Sequence, residues 1–559
     1  MLADPAPWAS PRPRSRPPVL VLLFLAALLL LGIGIWEPSG VTGKDEYYLG
    51  LRTPLCMMEQ DVWLVPCLDG EPRLRKPPLV YWLTRASLEA WGPSLAGSRL
   101  VAVLFGALLV LGVTLVAEEL SGDAGLGLRA GLVALSCLGL AIGGRLVELD
   151  VPVAAFSTLA LLALLRWYRR DQTGYLLLGA VLLAAGFLTK GPVVLVVWGA
   201  GGAALLAWDP AARSFLARRW RAALGGVLLT LALALPWFLY VGGLYPEASS
   251  QSLSQELTAR RFLQFSPVPL YGILMLSLPW ALLVPALPWL TRTLPGPQRR
   301  LAGQLLLWLA LTLAPFLLFR VFERYLMGSL VPLAILIALA APTLAGHGWR
   351  WLVRLSTGLC LLAGLILIGL AYWFGQAPIA ALLGLAAWLG LAWAGWRADP
   401  RFLAPVAALA WACWLGVVYP RLGINAVPEA LLEQAQHQEV VLFQGPQPGL
   451  LPALLGRPLV HLDERWRLPE RLQRPDARFL LISTAEEAES ALAGLSRLGF
   501  AVGEPQRHGI LSARVKWHQM FRPGLTQERL WQALTQRDLE PIKPQILVFP
   551  VERRPWATP

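Results

Sequence analysis

In a chain this apolar, the acidic and basic side chains are the place to look for chemistry. Asp45 and Glu46 stand together in "GKDEYYLG", just past an apolar run that ends near Trp36. "DGEPRLRKPPLVYWL" brings Lys76, "GGRLVELD" brings Arg145, Glu148 and Asp150, and "LTKGP" brings Lys190. Later, "QELTARRF" carries Arg261 and "FRVFERYL" carries Glu323, Arg324 and Tyr325. Lysines and arginines beside an apolar wall suit an anionic headgroup on a lipid tail. A carboxylate near them suits a general base, or a group that orients an acceptor. Taken singly, each has a plainer explanation. Lys190 fits a lysine snorkelling from a helix end, Asp150 a cap in front of Pro152, and Glu323 with Arg324 a surface pair. Their convergence on one face argues for a shared site, because ionisable groups at membrane depth are costly and tend to be functional.

The elements that must position them are membrane spans. The chain is 559 residues long, 56% hydrophobic and only 15% charged, against about 25% charged in a typical soluble domain. Apolar runs long enough to cross a bilayer recur at 19–36, 98–117, 130–144, 152–168, 174–189, 193–207, 222–240, 270–288, 304–319, 326–344, 355–374, 379–396 and 402–420. This predicts a polytopic α-helical membrane protein with about thirteen transmembrane helices. The first run follows Arg12, Arg14 and Arg16 and no small-residue cleavage site comes after it, so it reads as a retained span.

With a cytoplasmic N-terminus, the inner connections hold Arg129; Arg169 and Arg170; Arg213, Arg218, Arg219 and Arg221; Arg292, Arg299 and Arg300; Arg350 and Arg354; Arg397 and Arg401. Every one is basic, as the positive-inside rule requires. The net charge of +13 is thus a topology signal, and nucleic acid is excluded as a partner. The unusual residues above then collect on the outer face. Cys56 and Cys67 share the first outer loop, 37–97, and pair if that loop is oxidised; two free thiols are the alternative. Cys137, Cys360 and Cys413 lie in apolar runs and read as packing residues.

An odd number of spans puts the tail outside as well. Residues 1–420 form the transmembrane domain and 421–559 a small soluble α/β domain. In the tail, "EVVLFQG", "RPLVHLD" and "ARFLLIST" read as short strands, and "AEEAESALAGLSRLG" as an amphipathic helix with a glycine stop.

In order, "KDEYYLG", "RKPPLVYWL", "RLVELDVPVAAF", "GFLTKGPV", "ARRF" followed by "LPW", and "ERYLMGSLVPLAIL" resemble the bacterial GT-C glycosyltransferases. The likeness is to the 4-amino-4-deoxy-L-arabinose lipid A transferases, akin to protein O-mannosyltransferases, and runs from about Gly43 to Leu336. The resemblance implies a GT-C fold in a bacterial inner membrane with a periplasmic active site. The donor it implies is a polyprenyl (undecaprenyl) phosphate sugar, transferred with inversion to lipid A or another envelope acceptor. By the same likeness Asp45 is the catalytic acid of the first loop, Glu46 its neighbour, and Asp150 the second acid. Lys76, Arg261 and Tyr325 hold the donor phosphate, with Arg324 and Lys190 beside them. Arg145, Glu148 and Glu323 line the site. Leu149, just before Asp150, departs from a pattern that is more often polar there.

No His/Cys cluster has metal-ligand spacing, so no cofactor is required; a divalent cation on Asp45, Glu46 and Asp150 stays an open alternative. A lipid-linked glycan flippase or transporter is the rival class. Such proteins place charges near the midplane and carry internal repeats, and neither feature is visible here. A protein- or glycan-directed transferase on the same scaffold is the second rival.

Overall fold

In the computed structural model, residues 16–42, 46–260, 263–342, 349–443, 451–462, 468–511 and 521–553 are described; Asp45 and Arg261 lie outside them. Among the described residues, nine helices are long and apolar enough to cross a membrane. They include α4 (Leu95–Ser121), α7 (Asp150–Arg170), α8 (Thr173–Lys190), α11 (Trp220–Leu244), α16 (Arg350–Trp373) and α17 (Pro378–Arg397). A tenth forms if α9 (Val193–Trp208) and α10 (Pro210–Arg218), bent by 108°, count as one span. Two more apolar helices are shorter, α1 (Pro17–Gly32) and α5 (Ala124–Ser136).

Two of the thirteen expected spans are interrupted, and the interruptions support each other. The 130–144 run breaks at Cys137, where the backbone is extended between α5 and α6 (Leu138–Gly143). The 270–288 run is broken after α13 (Val268–Leu276) into a 3₁₀ turn, Ala281–Leu283, and a last short helical turn, Leu287–Leu290; Pro279, Pro285 and Pro288 remove the amide hydrogens a continuous helix needs. Exposed broken backbone is not tolerated inside a bilayer, so the two breaks bond to one another. Leu138 N donates to Leu278 O at 2.9 Å, and Trp280 Nε1 to Ser136 Oγ at 2.8 Å. A Cβ on Gly139 would sit 2.6 Å from the Leu276 side chain, so only glycine allows this approach.

The first outer loop is a small structure in its own right. It holds α2 (Thr53–Glu59), a hairpin of β1 (Cys67–Leu68) and β2 (Glu71–Pro72), and α3 (Leu79–Trp91). The hairpin turns through Asp69 and Gly70, both at positive φ, as a two-residue Asp-Gly turn requires. Cys56 and Cys67 form a disulfide, closing an 11-residue separation from α2 to β1 and excluding the two free thiols. A buried cluster of Leu49, Met57, Val80 and Tyr81 extends through Val147 and Leu149. Leu149 is therefore apolar because it seats the second outer turn on the first loop. Replacing both bridging cysteines by serine is expected to lower stability by about 2–3 kcal/mol, read as a fall in unfolding midpoint of the detergent-solubilised protein.

The tail builds a mixed sheet in the order β4–β3–β5–β8–β6, with β7 also on β8. Its strands are β3 (Glu439–Phe443), β4 (Val460–Leu462), β5 (Arg478–Thr484), β6 (Phe500–Val502), β7 (Gln506–Gly509) and β8 (Gln545–Arg553). β3 is parallel to β4 and β5; β8 is antiparallel to β5, β6 and β7. Alternate residues of the central strands bury on opposite faces, which is why they read as unbroken apolar runs. The tail sits on the first outer loop. Arg421 pairs with Glu37 at 3.1 Å, Asn425 Nδ2 donates to Thr42 Oγ1 at 2.9 Å, and Tyr47 Oη lies 3.2 Å from His461 Nε2.

Candidate active site

Three helix ends gather charges from separate spans. Asp150 opens α7, whose partial positive N-terminus favours a carboxylate. Lys190 is the last residue of α8, which stops because Gly191 takes a positive φ and Pro192 follows. Arg324 and Tyr325 lie in the 3₁₀ turn Glu323–Ser329 that leads into α15 (Leu330–Ala340). Lys190 Nζ is ion-paired with Asp150 Oδ1. Arg324 Nε is 3.5 Å from Asp150 Oδ2, and its Nη1 is 3.9 Å from Glu148 Oε1. The Lys190 ammonium stands 3.5 Å over the centre of the Tyr325 ring, a cation–π contact that holds the charge without neutralising it.

Lys76 approaches from the first loop, within electrostatic range of Lys190 and Tyr325. Its ammonium donates to Glu256 Oε1 at 2.6 Å, and Arg75 reaches the same oxygen at 3.3 Å. Glu256 belongs to α12 (Pro246–Arg260), the helix before the segment that carries Arg261. Burial holds the Lys76 pKa below the ordinary lysine value, while the hydrogen bond and charge of Glu256 pull it back up. Sequence reading passed over Glu256, although it stands in the quoted "QELTARRF".

Three expected site residues take other places. Glu46 is 0% exposed, and both its oxygens accept from Arg99, at 2.7 and 3.0 Å. Arg99, on α4, also donates to the carbonyls of Ile35, Glu37 and Val41. Glu46 is thus an anchor of the first loop rather than a free base. Arg145 is buried and spends its guanidinium on the carbonyls of Ala141, Ile33 and Leu30, closing the ends of α1 and α6; it does not line the site. Glu323 accepts from Tyr271 Oη at 3.1 Å in an exposed contact. Among the described residues no three His, Cys, Asp or Glu side chains gather as a metal site, and Glu46, held by Arg99, is withdrawn from the set of divalent-ion ligands.

Lys76, Lys190, Arg324, Asp150, Glu148, Glu256 and Tyr325 therefore form one charged constellation. One helical turn from Lys190, Phe187 lines an apolar groove of about 460 Å³ between α7, α8, α9, α10 and α11. Charges gathered at the ends of these helices, with an apolar groove between the helices themselves, fit an amphiphile with an anionic head.

The chain is similar to proteins of known family. A family profile described as dolichyl-phosphate-mannose-protein mannosyltransferase matches residues 75–240. An undecaprenyl phosphate-alpha-4-amino-4-deoxy-L-arabinose arabinosyl transferase of Pseudomonas paraeruginosa is 30% identical over 433 residues, covering 69% of this chain and 74% of its own. The chain belongs to the ArnT and protein-mannosyltransferase-like GT-C glycosyltransferases. This glycosyltransferase also shares 28% identity with an arabinosyl transferase of Sodalis glossinidius, over 77% of this chain and 80% of that one. Its fold matches the crystal structure of ArnT from Cupriavidus metallidurans bound to undecaprenyl phosphate, with a TM-score of 0.66 at 20% identity over 87% and 96% of the two chains. The same protein in the apo state gives 0.67. The GT-C fold and the multi-pass membrane architecture of this glycosyltransferase are thereby established.

Proposed function

We propose that the protein moves a sugar, with 4-amino-4-deoxy-L-arabinose as the candidate, from a polyprenyl phosphate to lipid A or another envelope acceptor at the periplasmic face of a bacterial inner membrane. The single observation that carries this reading is the convergence of Lys190 and Arg324 on Asp150, with Lys76 held beside them by Glu256; Phe187, three residues before Lys190 on α8, lines the apolar groove. The names of the curated relatives supply the candidate sugar. The fold relative crystallised with undecaprenyl phosphate supplies the candidate lipid.

In this reading Lys76 and Lys190 take the phosphate of the donor. The leaving group is already anionic and needs no acid; fixed positive charge steadies what builds on it as the glycosidic bond breaks. Asp150 holds Lys190 and Arg324 in place, so it acts as a positioning carboxylate. Asp45 is assigned to the acceptor side of the sugar ring, taking a proton if the acceptor is a hydroxyl. Arg261 is assigned to the phosphate by the family pattern. In the structure Lys76 is occupied by Glu256, so the donor phosphate has to share or displace that partner.

The test is mass spectrometry of lipid A and envelope glycans from cells with the active protein and from cells with Asp45→Ala. An added sugar mass that depends on the intact protein supports the reading; identical envelope spectra overturn it. A pH dependence follows from Lys76. A lysine with a lowered pKa is charged at low pH and loses its charge, as pH rises, sooner than an ordinary lysine near 10.4. The donor KM is therefore expected to climb on the alkaline side, and Lys76→Arg to move that limb upward. A limb unchanged in Lys76→Arg would count against phosphate binding by this residue.

A further inference from the structure

The far end of the bundle holds a second polar cavity, of about 760 Å³, that the transfer reaction does not use. It is lined by Arg129 of α5, Arg350 and Arg354 of α16, Arg397 of α17, and Asp399 with Arg401 at the start of α18 (Pro400–Cys413). Its position follows from α15. The 3₁₀ turn that holds Tyr325 runs on into that helix, which ends at Ala340, and Ala341 lines the cavity. The 11 residues of α15 rise about 16 Å and the rest of the 3₁₀ turn about 8 Å more, so the cavity opens at the opposite membrane face.

Five arginines share this cavity with one carboxylate. Asp399 is already engaged: it caps α18 through Arg401 N at 2.9 Å and pairs with the Arg401 guanidinium at 2.8 Å. Arg354 Nε donates to Trp396 O at 3.0 Å and its guanidinium lies 4.5 Å over the Trp396 ring. Arg397 lies 5.0 Å over Trp393. Arg350 Nε and Arg129 Nε are buried with no hydrogen-bond partner among the described residues, while Arg129 Nη2 lies 3.6 Å from Asp123 Oδ2. Orientation in the membrane needs only a surplus of positive charge in the loops. Arg213, Arg218, Arg219, Arg221 and Arg299, in other loops, supply it. Orientation therefore does not explain why five guanidiniums converge on one concave space.

The rim says what fills it. Trp351, Trp393, Trp396 and Phe402 are exposed, and a girdle of exposed aromatics marks the depth of lipid headgroups. From the mouth toward the bilayer centre, Leu355, Leu359 and Leu362 lie exposed on one face of α16, a track for an acyl chain. Guanidiniums match phosphate oxygens in paired hydrogen bonds, and basic pockets between membrane helices accept phospholipid heads. We propose that this cavity binds the phosphate headgroup of an anionic phospholipid from the leaflet opposite the transfer site.

The test is native mass spectrometry of the full-length protein in detergent, titrated with phosphatidylglycerol, phosphatidylethanolamine or inorganic phosphate. The expected result is a phosphatidylglycerol adduct about tenfold more abundant than the phosphatidylethanolamine one, with no competition from inorganic phosphate. Lys76→Ala is expected to keep that adduct, which separates it from lipid at the transfer site. The triple variant R350Q/R354Q/R397Q is expected to lose it about tenfold while still transferring sugar in detergent. If the triple variant does not fold, the single variants R354Q and R397Q are read by the same criterion. Equal binding of the two phospholipids, an adduct unchanged in folded variants, or displacement by inorganic phosphate would each overturn the proposal.

Discussion

Lys76→Ala is expected to lower kcat/KM with a lipid-linked donor by a factor of about 10²–10³, with expression and membrane insertion unchanged. The size follows from where the charge sits. Lys76 is only 20% exposed, and its charge is felt by Lys190 and Tyr325. A positive charge in a partly desolvated site acts on a developing phosphate charge far more strongly than one in water. The fold should tolerate the loss, because Glu256 keeps Arg75 at 3.3 Å and is itself partly exposed. Lys76→Arg should recover part of the rate, since the charge returns with a different shape. Glu256→Gln separates the two roles of this lysine. It removes the competitor for the ammonium, so the donor KM should fall while Lys76→Ala raises it. Wild-type transfer by Lys76→Ala would withdraw the lysine from the site.

The helices are legible in the sequence because apolar length reports directly on bilayer thickness, and so is the clustering of charge at one set of helix ends. What escapes is continuity. The prolines at 279, 285 and 288 are visible in the sequence, but the paired break at Cys137 depends on Leu138 finding the Leu278 carbonyl across the bundle. The site residues are legible as types and not as partners. Asp150 and Lys190 are 40 positions apart, and nothing local announces that they meet. Leu149 reads as a departure from a polar pattern and is a packing residue for the first loop. Arg99 carries a readable warning: an arginine in the first turns of a long apolar helix has to find a partner. Glu46 is that partner. Adjacent acids invite reading as a pair with one purpose, yet a π-helical turn from Tyr47 begins right after Glu46, and its side chain is turned into the protein.

That difference makes the second large effect a test of role as well as of stability. Arg99→Ala and Glu46→Ala are each expected to destabilise the protein by about 3–5 kcal/mol, because each leaves a buried charge without its counterpart. Arg99 is only 2% exposed, and its loss also strands the carbonyls of Ile35, Glu37 and Val41, where the chain leaves the first span for the outer loop. The two single variants should therefore look alike: a lower unfolding midpoint, less protein recovered from membranes, and transfer reduced in proportion to the folded fraction. A catalytic Glu46 would behave differently. Glu46→Gln would then fold normally and fail to transfer, while Arg99 variants would keep their turnover per folded molecule. Replacing both partners together, Glu46→Gln with Arg99→Met, removes both charges at once. It should recover part of the lost stability, because a buried ion pair exchanged for neutral groups of similar size is often close to neutral in cost. A double variant as unstable as the two singles combined would show that the carbonyls, rather than the carboxylate, are what Arg99 is buried to satisfy.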